Sequence, residues 1–177
     1  MPAIHLPASQ HRAIPWKNGL GISHTIADHP RGAGFDAVGW QVSSTQIGAD
    51  CPFSALPGLD RQFMVIEGAG VELSCTDEKG GTTVHRADPL RGPLAFRGDW
   101  RTSCRLLAGP VRVFNVMTRR GRFAADLSLA DGQAPAGKAG ETLVAVDLKS
   151  LDAWMLEGAG TMALPSGTIA VVRIRNA

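Results

Sequence analysis

No stretch of this 177-residue chain approaches the roughly 20 consecutive apolar residues that a bilayer-spanning helix requires, so no membrane segment is expected. The opening residues MPAIHLPASQHR carry no charged start followed by an apolar run, and nothing in them marks secretion. Cysteine is scarce and odd in number. Cys51, Cys75 and Cys104 lie far apart, which argues against a disulfide framework and suits a reducing compartment, with the thiols as buried small apolar groups. The expectation is a cytoplasmic protein. Charged residues make up only 19% and hydrophobic ones 44%, a balance that excludes wholesale disorder and leaves enough apolar surface for a sizeable core.

What the chain does contain is an echo. VIEGAG (Val65 to Gly70) returns as MLEGAG (Met155 to Gly160), each after an apolar run and before alternating residues. Downstream, Gly92-Pro-Leu-Ala-Phe96 is matched in pattern by Gly167-Thr-Ile-Ala-Val171, with a shorter connection in the second copy. One long repeat implies two similar β units rather than a solenoid.

Glycine, proline and short apolar runs punctuate the chain as in a β protein, and helical stretches are few. Strands are expected over Gly39–Ile47, Arg61–Ile66, Gly70–Thr76, Gly92–Arg97, Cys104–Leu107, Val111–Thr118, Glu141–Leu148, Ala153–Leu156 and Gly167–Arg175. The segment ADGQAPAGKAG (130–140), poor in large apolar groups, reads as a linker between residues 1–129 and 141–177.

Alternation along Val111 to Arg119 puts Asn115 on one face with Val111, Val113 and Met117, and Phe114 on the other. A buried amide needs hydrogen-bond partners, supplied either by a neighbouring turn or by a ligand. The same test places Arg61 with Phe63 and Val65. Its guanidinium requires a carboxylate, from the protein (Asp99, for instance) or from a substrate; the adjacent Asp60 points the other way in an ideal strand. Near the N-terminus, Pro15-Trp-Lys-Asn-Gly-Leu-Gly21 forms a glycine turn whose amides can meet an anion or simply close a hairpin.

Metal ligands are lacking in the expected places. His5, His11, His24, His29 and His85 form no His-x-His pair, and none lies in the strand before either EGAG turn. No Ser, His and acid constellation stands out. Between Arg86 and Arg122 nine arginines face only Asp88 and Asp99, within an overall charge of +2. Without a helical reading element or an aromatic RNA-binding signature, a solvated sheet face accounts for them and nucleic acid is not an expected partner.

The strings IPWKNGLG (Ile14 to Gly21), CPFSALPGLDRQF (Cys51 to Phe63), FRGD (Phe96 to Asp99) and VFNVMTRRG (Val113 to Gly121), in this order, resemble the HutD/Ves family. The resemblance implies an all-β bicupin, two tandem small β-barrels of the cupin or jelly-roll type packed together. It also implies an accessory or regulatory part in histidine degradation, binding a small carboxylate metabolite such as N-formylglutamate. Carried over by position, the shared polar residues fall on Asn18, Arg61 and Asn115, with Phe53, Ser54, Asp60, Phe114 and Met117 around them. The chain departs from the family pattern at Leu20 (usually glycine), near Thr25 (usually an acid), near Gln41 (usually arginine) and at Val113 (usually an acid). The expectation is therefore a carboxylate-binding protein without metal or other cofactor, with self-association into a homodimer left open. The rival class is a cupin-type isomerase, hydrolase or metal-dependent oxygenase acting on a small carboxylate.

Overall fold

The computed structural model describes residues 2–16, 19–130 and 133–177. Its first third runs through β1 (Ile4–Leu6), β2 (Arg12–Pro15), β3 (Gly21–His29), β4 (Trp40–Ile47), β5 (Cys51–Pro52) and β6 (Leu59–Glu67). Then come β7 (Val71–Thr76), β8 (Thr82–Ala87), β9 (Leu94–Arg97), β10 (Arg101–Leu106), β11 (Val111–Arg119) and β12 (Phe123–Leu129). The rest is β13 (Ala136–Gly137), β14 (Glu141–Asp147), β15 (Ala153–Glu157), β16 (Gly160–Thr161) and β17 (Ile169–Asn176). A single 3-10 turn, Ala8–Gln10, is the only helical element among the described residues. The chain is thus all-β, and every strand pairing is antiparallel.

Three open sheets stack as layers. The central one, in the order β2-β3-β4-β11-β6-β9, lies between β5-β10-β7-β8 and β1-β15-β14-β17-β12. Alternation, broken only by bulges at Arg112/Val113 and Thr25/Ala27, gives the central sheet two buried faces, which is why its middle strands are apolar on both sides. Phe63, Val65, Val113 and Ile47 meet Val71, Leu73, Cys75 and Cys104 of the four-stranded sheet. On the reverse, Met64, Phe114, Val116 and Val42 meet Val144, Val146, Val172 and Ile174 of the five-stranded sheet. We call these the inner and outer faces. Each sheet has two free edges, and no closed barrel forms among the described residues.

Both EGAG segments are strand ends followed by left-handed glycines: Gly68 (φ +98°) and Gly70 (φ +104°) in one, Gly158 (φ +81°) in the other. The strands downstream pair differently. Leu94–Arg97 pairs with the EGAG strand β6 itself, whereas Ile169–Asn176 pairs with β14 and β12. The extra residues of the first copy form β8, absent from the second. Two strands from the first 129 residues, β1 and β12, complete the sheet built on residues 141–176. Within the segment 130–140, Ala136–Gly137 pairs with Gly160–Thr161.

Candidate functional site

Among the described residues Arg61 is the one arginine whose whole side chain is driven into the core, at 8% exposure. It sits on the inner face of β6 because that strand must aim Leu59, Phe63 and Val65 the same way. The guanidinium lies between two aromatic rings, with Cζ 5.0 Å from the centroid of Phe53 and 5.0 Å from that of Phe96. These cation–π contacts partly replace water. They do not replace an anion. Among the described residues no carboxylate pairs with Arg61, and its buried Nε has no hydrogen-bond acceptor. Burial pulls the guanidinium from its ordinary value of 12.5 down to about 10, with nearby Cys75 pulling weakly the other way. The group stays cationic at neutral pH.

The two candidate acids, Asp60 and Asp99, are committed elsewhere. Asp60 points to the outer face and accepts from Arg120 Nε at 2.8 Å, while Asp99 accepts from Arg120 Nη2 at 2.6 Å. Those hydrogen bonds to Arg120 hold the Asp99 carboxyl below its usual range. The internal pair between Arg61 and Asp99, one of the two alternatives the sequence left open, is not formed.

Beside Arg61 on the inner face lies a row of small polar groups that alternation turns inward from β3, β4 and β11. Asn115 pairs across the ladder with Ser43 and Phe63, placing Arg61 on its diagonal, roughly 7–8 Å away by strand geometry. Trp16 Nε1 donates to Ser23 Oγ at 2.9 Å, Ser23 Oγ bonds Thr45 Oγ1 at 2.9 Å, and Asn115 Nδ2 reaches the same Thr45 oxygen at 3.5 Å. The row ends unsatisfied: Asn115 Oδ1 and Thr25 Oγ1 are buried without partners. Such groups are rare in folded cores because each costs roughly 1–3 kcal/mol. Two of them on one face beside a lone cation describe a surface complementary to something the described residues do not supply.

The other expected site residues fall in different places. Phe53 is half-buried against Arg61 and meets Trp16 edge-on at 6.2 Å, so these two rings form a rim. Ser54 is exposed in the following loop. Met117 lies on the inner face, packed with Val38 and Leu59 at the end of the strand. Phe114 and Asp60 are on the outer face, Phe114 fully buried between sheets. Asn18 lies outside the described residues. Ser43 and Thr45 have no place in the sequence reading, and Thr25 and Phe96 enter it only as a departure from the family pattern and as part of FRGD, not as site residues. The signal for two of them existed in WQVSSTQI, where Gln41, Ser43 and Thr45 alternate onto a single face.

Among the described residues no group of three or more His, Cys, Asp or Glu gathers as a metal site would require. At the inner end of the EGAG strand the chain presents Arg61, Phe63 and Val65, and opposite them Asn115 and Met117. A guanidinium and apolar groups do not fit a metal cation there.

A family model described as HutD matches residues 8–176, nearly the whole chain. The chain belongs to the HutD family. It is 33% identical over 127 residues to a Pseudomonas putida protein of the hutC 3′ region, covering 72% of this chain and 64% of that protein. To the protein Ves of Cronobacter sakazakii it is 28% identical over 125 residues, covering 70% and 65%. It therefore spans just under two thirds of the length of these relatives. The structure of HutD from Pseudomonas fluorescens superposes with TM-score 0.81 at 31% identity, covering 99% of both chains. A Bacillus subtilis oxalate decarboxylase, at 7% identity, superposes with TM-score 0.59 over 99% of this chain and 77% of that one, a likeness of fold alone that makes the architecture cupin-like. Thr25, Gln41 and Val113, three of the four departures from the family pattern, all lie on the inner face and are buried, whereas Leu20 is exposed.

Proposed function

We propose that this HutD-family protein binds a small carboxylate-bearing metabolite on the inner face of its central sheet and acts as an accessory or regulatory protein in histidine degradation. The observation that carries the reading is the buried Arg61 guanidinium with no carboxylate partner among the described residues. A ligand carboxylate pairs with it, whereas Thr25, three strands away on β3, stands too far off to reach the same group. Asn115 Oδ1 has the opposite need, an N–H or O–H donor on the ligand. A molecule bearing a carboxylate and an amide N–H a few atoms apart meets both, and N-formylglutamate has that pattern. The link to histidine degradation rests on family membership and on the hutC-region relative.

In this reading Phe53 and Trp16 cover the ligand. The chain is read as two small cupin units, 1–129 and 141–177 joined by 130–140, with β1 and β12 lent by the first to the sheet of the second. The donor set at Arg61 speaks against the enzyme alternative in its metal-dependent form.

A thermal-shift screen tests the proposal. N-formylglutamate should raise the melting temperature more than glutamate, and a dimethyl ester of the same acid should have no effect. Equal shifts for ester and acid would contradict a site organised around Arg61.

A further inference from the structure

On the opposite side of β6 from Arg61 there is a second concavity, of about 360 Å³, between the free edge of the central sheet and strand β12 of the five-stranded sheet. The geometry points to a second small-molecule site here, for a planar aromatic carboxylate of one or two rings. The volume falls within the roughly 300–1,000 Å³ of ordinary ligand pockets. Arg61 and Phe96 also border it, but alternation separates the side chains: Asp60, Gln62, Ala95 and Arg97 point outward where Arg61 and Phe96 point inward.

The shape is a slot. Its floor is Val116 with the small side chains Ala95 and Ala125, and its walls include Trp100 and Phe123. Both rings are pinned. Trp100 Nε1 donates to Glu78 at 3.2 Å. Phe123 meets His29 edge-on at 5.8 Å and lies so close over Gly39 that a Cβ there would come within 2.6 Å of the ring. Two fixed aromatic walls above alanines favour a flat ring over an aliphatic chain.

The anionic end follows from the charges. Asp60 at the lip is occupied by Arg120, which also holds Asp99. Arg97 is the cation left nearly free, its one ion-pair contact being the exposed Glu78 at 3.7 Å. An extended peptide does not fit the slot, although two sheet edges line it. Gln62 already acts as a substitute strand on β12, donating from Nε2 to the Ala125 carbonyl at 2.5 Å and accepting from the Leu127 amide at 2.9 Å. The facing edge, β9, is only four residues long.

Cinnamate is a suitable probe, with cinnamyl alcohol as its uncharged counterpart, followed by calorimetry and tryptophan fluorescence on the whole protein. We expect saturable cinnamate binding that weakens at least about tenfold in Arg97→Gln and in Ala95→Leu, is unchanged in Arg61→Lys, and is at least about tenfold weaker for the alcohol. Arg97 and Ala95 are exposed on an edge strand, and unchanged melting curves of both variants would show that the fold is intact. Absence of saturation at millimolar cinnamate, or equal affinity in both edge-strand variants, would overturn the inference. Loss of binding in Arg61→Lys would also overturn it, while leaving the inner-face site standing.

Discussion

Arg61 is an unfavourable residue in the ligand-free protein. Holding its charge in the core, against a lowering of its pKa from 12.5 to about 10, costs on the order of 3 kcal/mol. A protein designed only for stability would place an apolar group there. Arg61→Met should therefore raise the melting temperature of the ligand-free protein by several degrees, at roughly 2–4 °C per kcal/mol for this size, while abolishing carboxylate binding. A lower melting temperature in that variant would mean that the guanidinium is satisfied internally. The thiols behave in the opposite sense. Burial, then neighbouring Cys51 and Asp50, push the Cys104 thiol up to about 12, so it stays protonated at pH 8.5. Iodoacetamide should leave Cys104 unmodified in the native protein at that pH and label it after denaturation, as peptide mass analysis would show. Because the folded state keeps this proton while the unfolded state releases it near 9, Cys104 contributes a loss of stability as pH rises from about 9 towards 12. Cys104→Ala should flatten that alkaline limb in urea titrations.

At the scale of elements, the two EGAG turns look alike in sequence and are not equivalent in energy. A Cβ on Gly68 would meet the Pro110 carbonyl at 2.7 Å and Val111 at 2.9 Å, whereas one on Gly158 meets nothing within 4 Å. Gly158→Ala should then cost only the left-handed conformation, about 1–2 kcal/mol, and Gly68→Ala a further 1–3 kcal/mol of overlap, measured by urea unfolding of the two variants. Comparable losses would show that the first turn relaxes freely. The legibility of the strands follows the same physics. β4, β6, β11 and β14 were readable because both of their faces are buried and their apolar content is high. The strand β3, GISHTIADH, was not, because its inner face carries Ser23 and Thr25 and its ends carry histidines and Asp28. β8 escaped for another reason, since nearly all of TTVHRA is exposed and gives no apolar alternation. The site was legible only where a polar residue interrupts an apolar strand, as at Arg61 and Asn115. Thr25 and Phe96 join it through pairing and ring stacking that no local pattern encodes.

For the whole molecule, the central sheet is the organising element. It is covered on both faces, and its strand β6 sends Arg61 to one side and Asp60 and Gln62 to the other, so that one strand borders both the inner polar row and the outer concavity. The charges sort accordingly, with the outward acids paired and the inward cation left alone. The central claim is that this lone cation awaits a carboxylate. Calorimetric titration of N-formylglutamate into the native protein and into Arg61→Lys, which keeps the charge but loses the planar two-pronged donor, tests it most directly. One site per chain is expected, with an affinity at least about tenfold weaker in the variant, on the order of 1.4 kcal/mol or more. Equal affinity in the two proteins would contradict it.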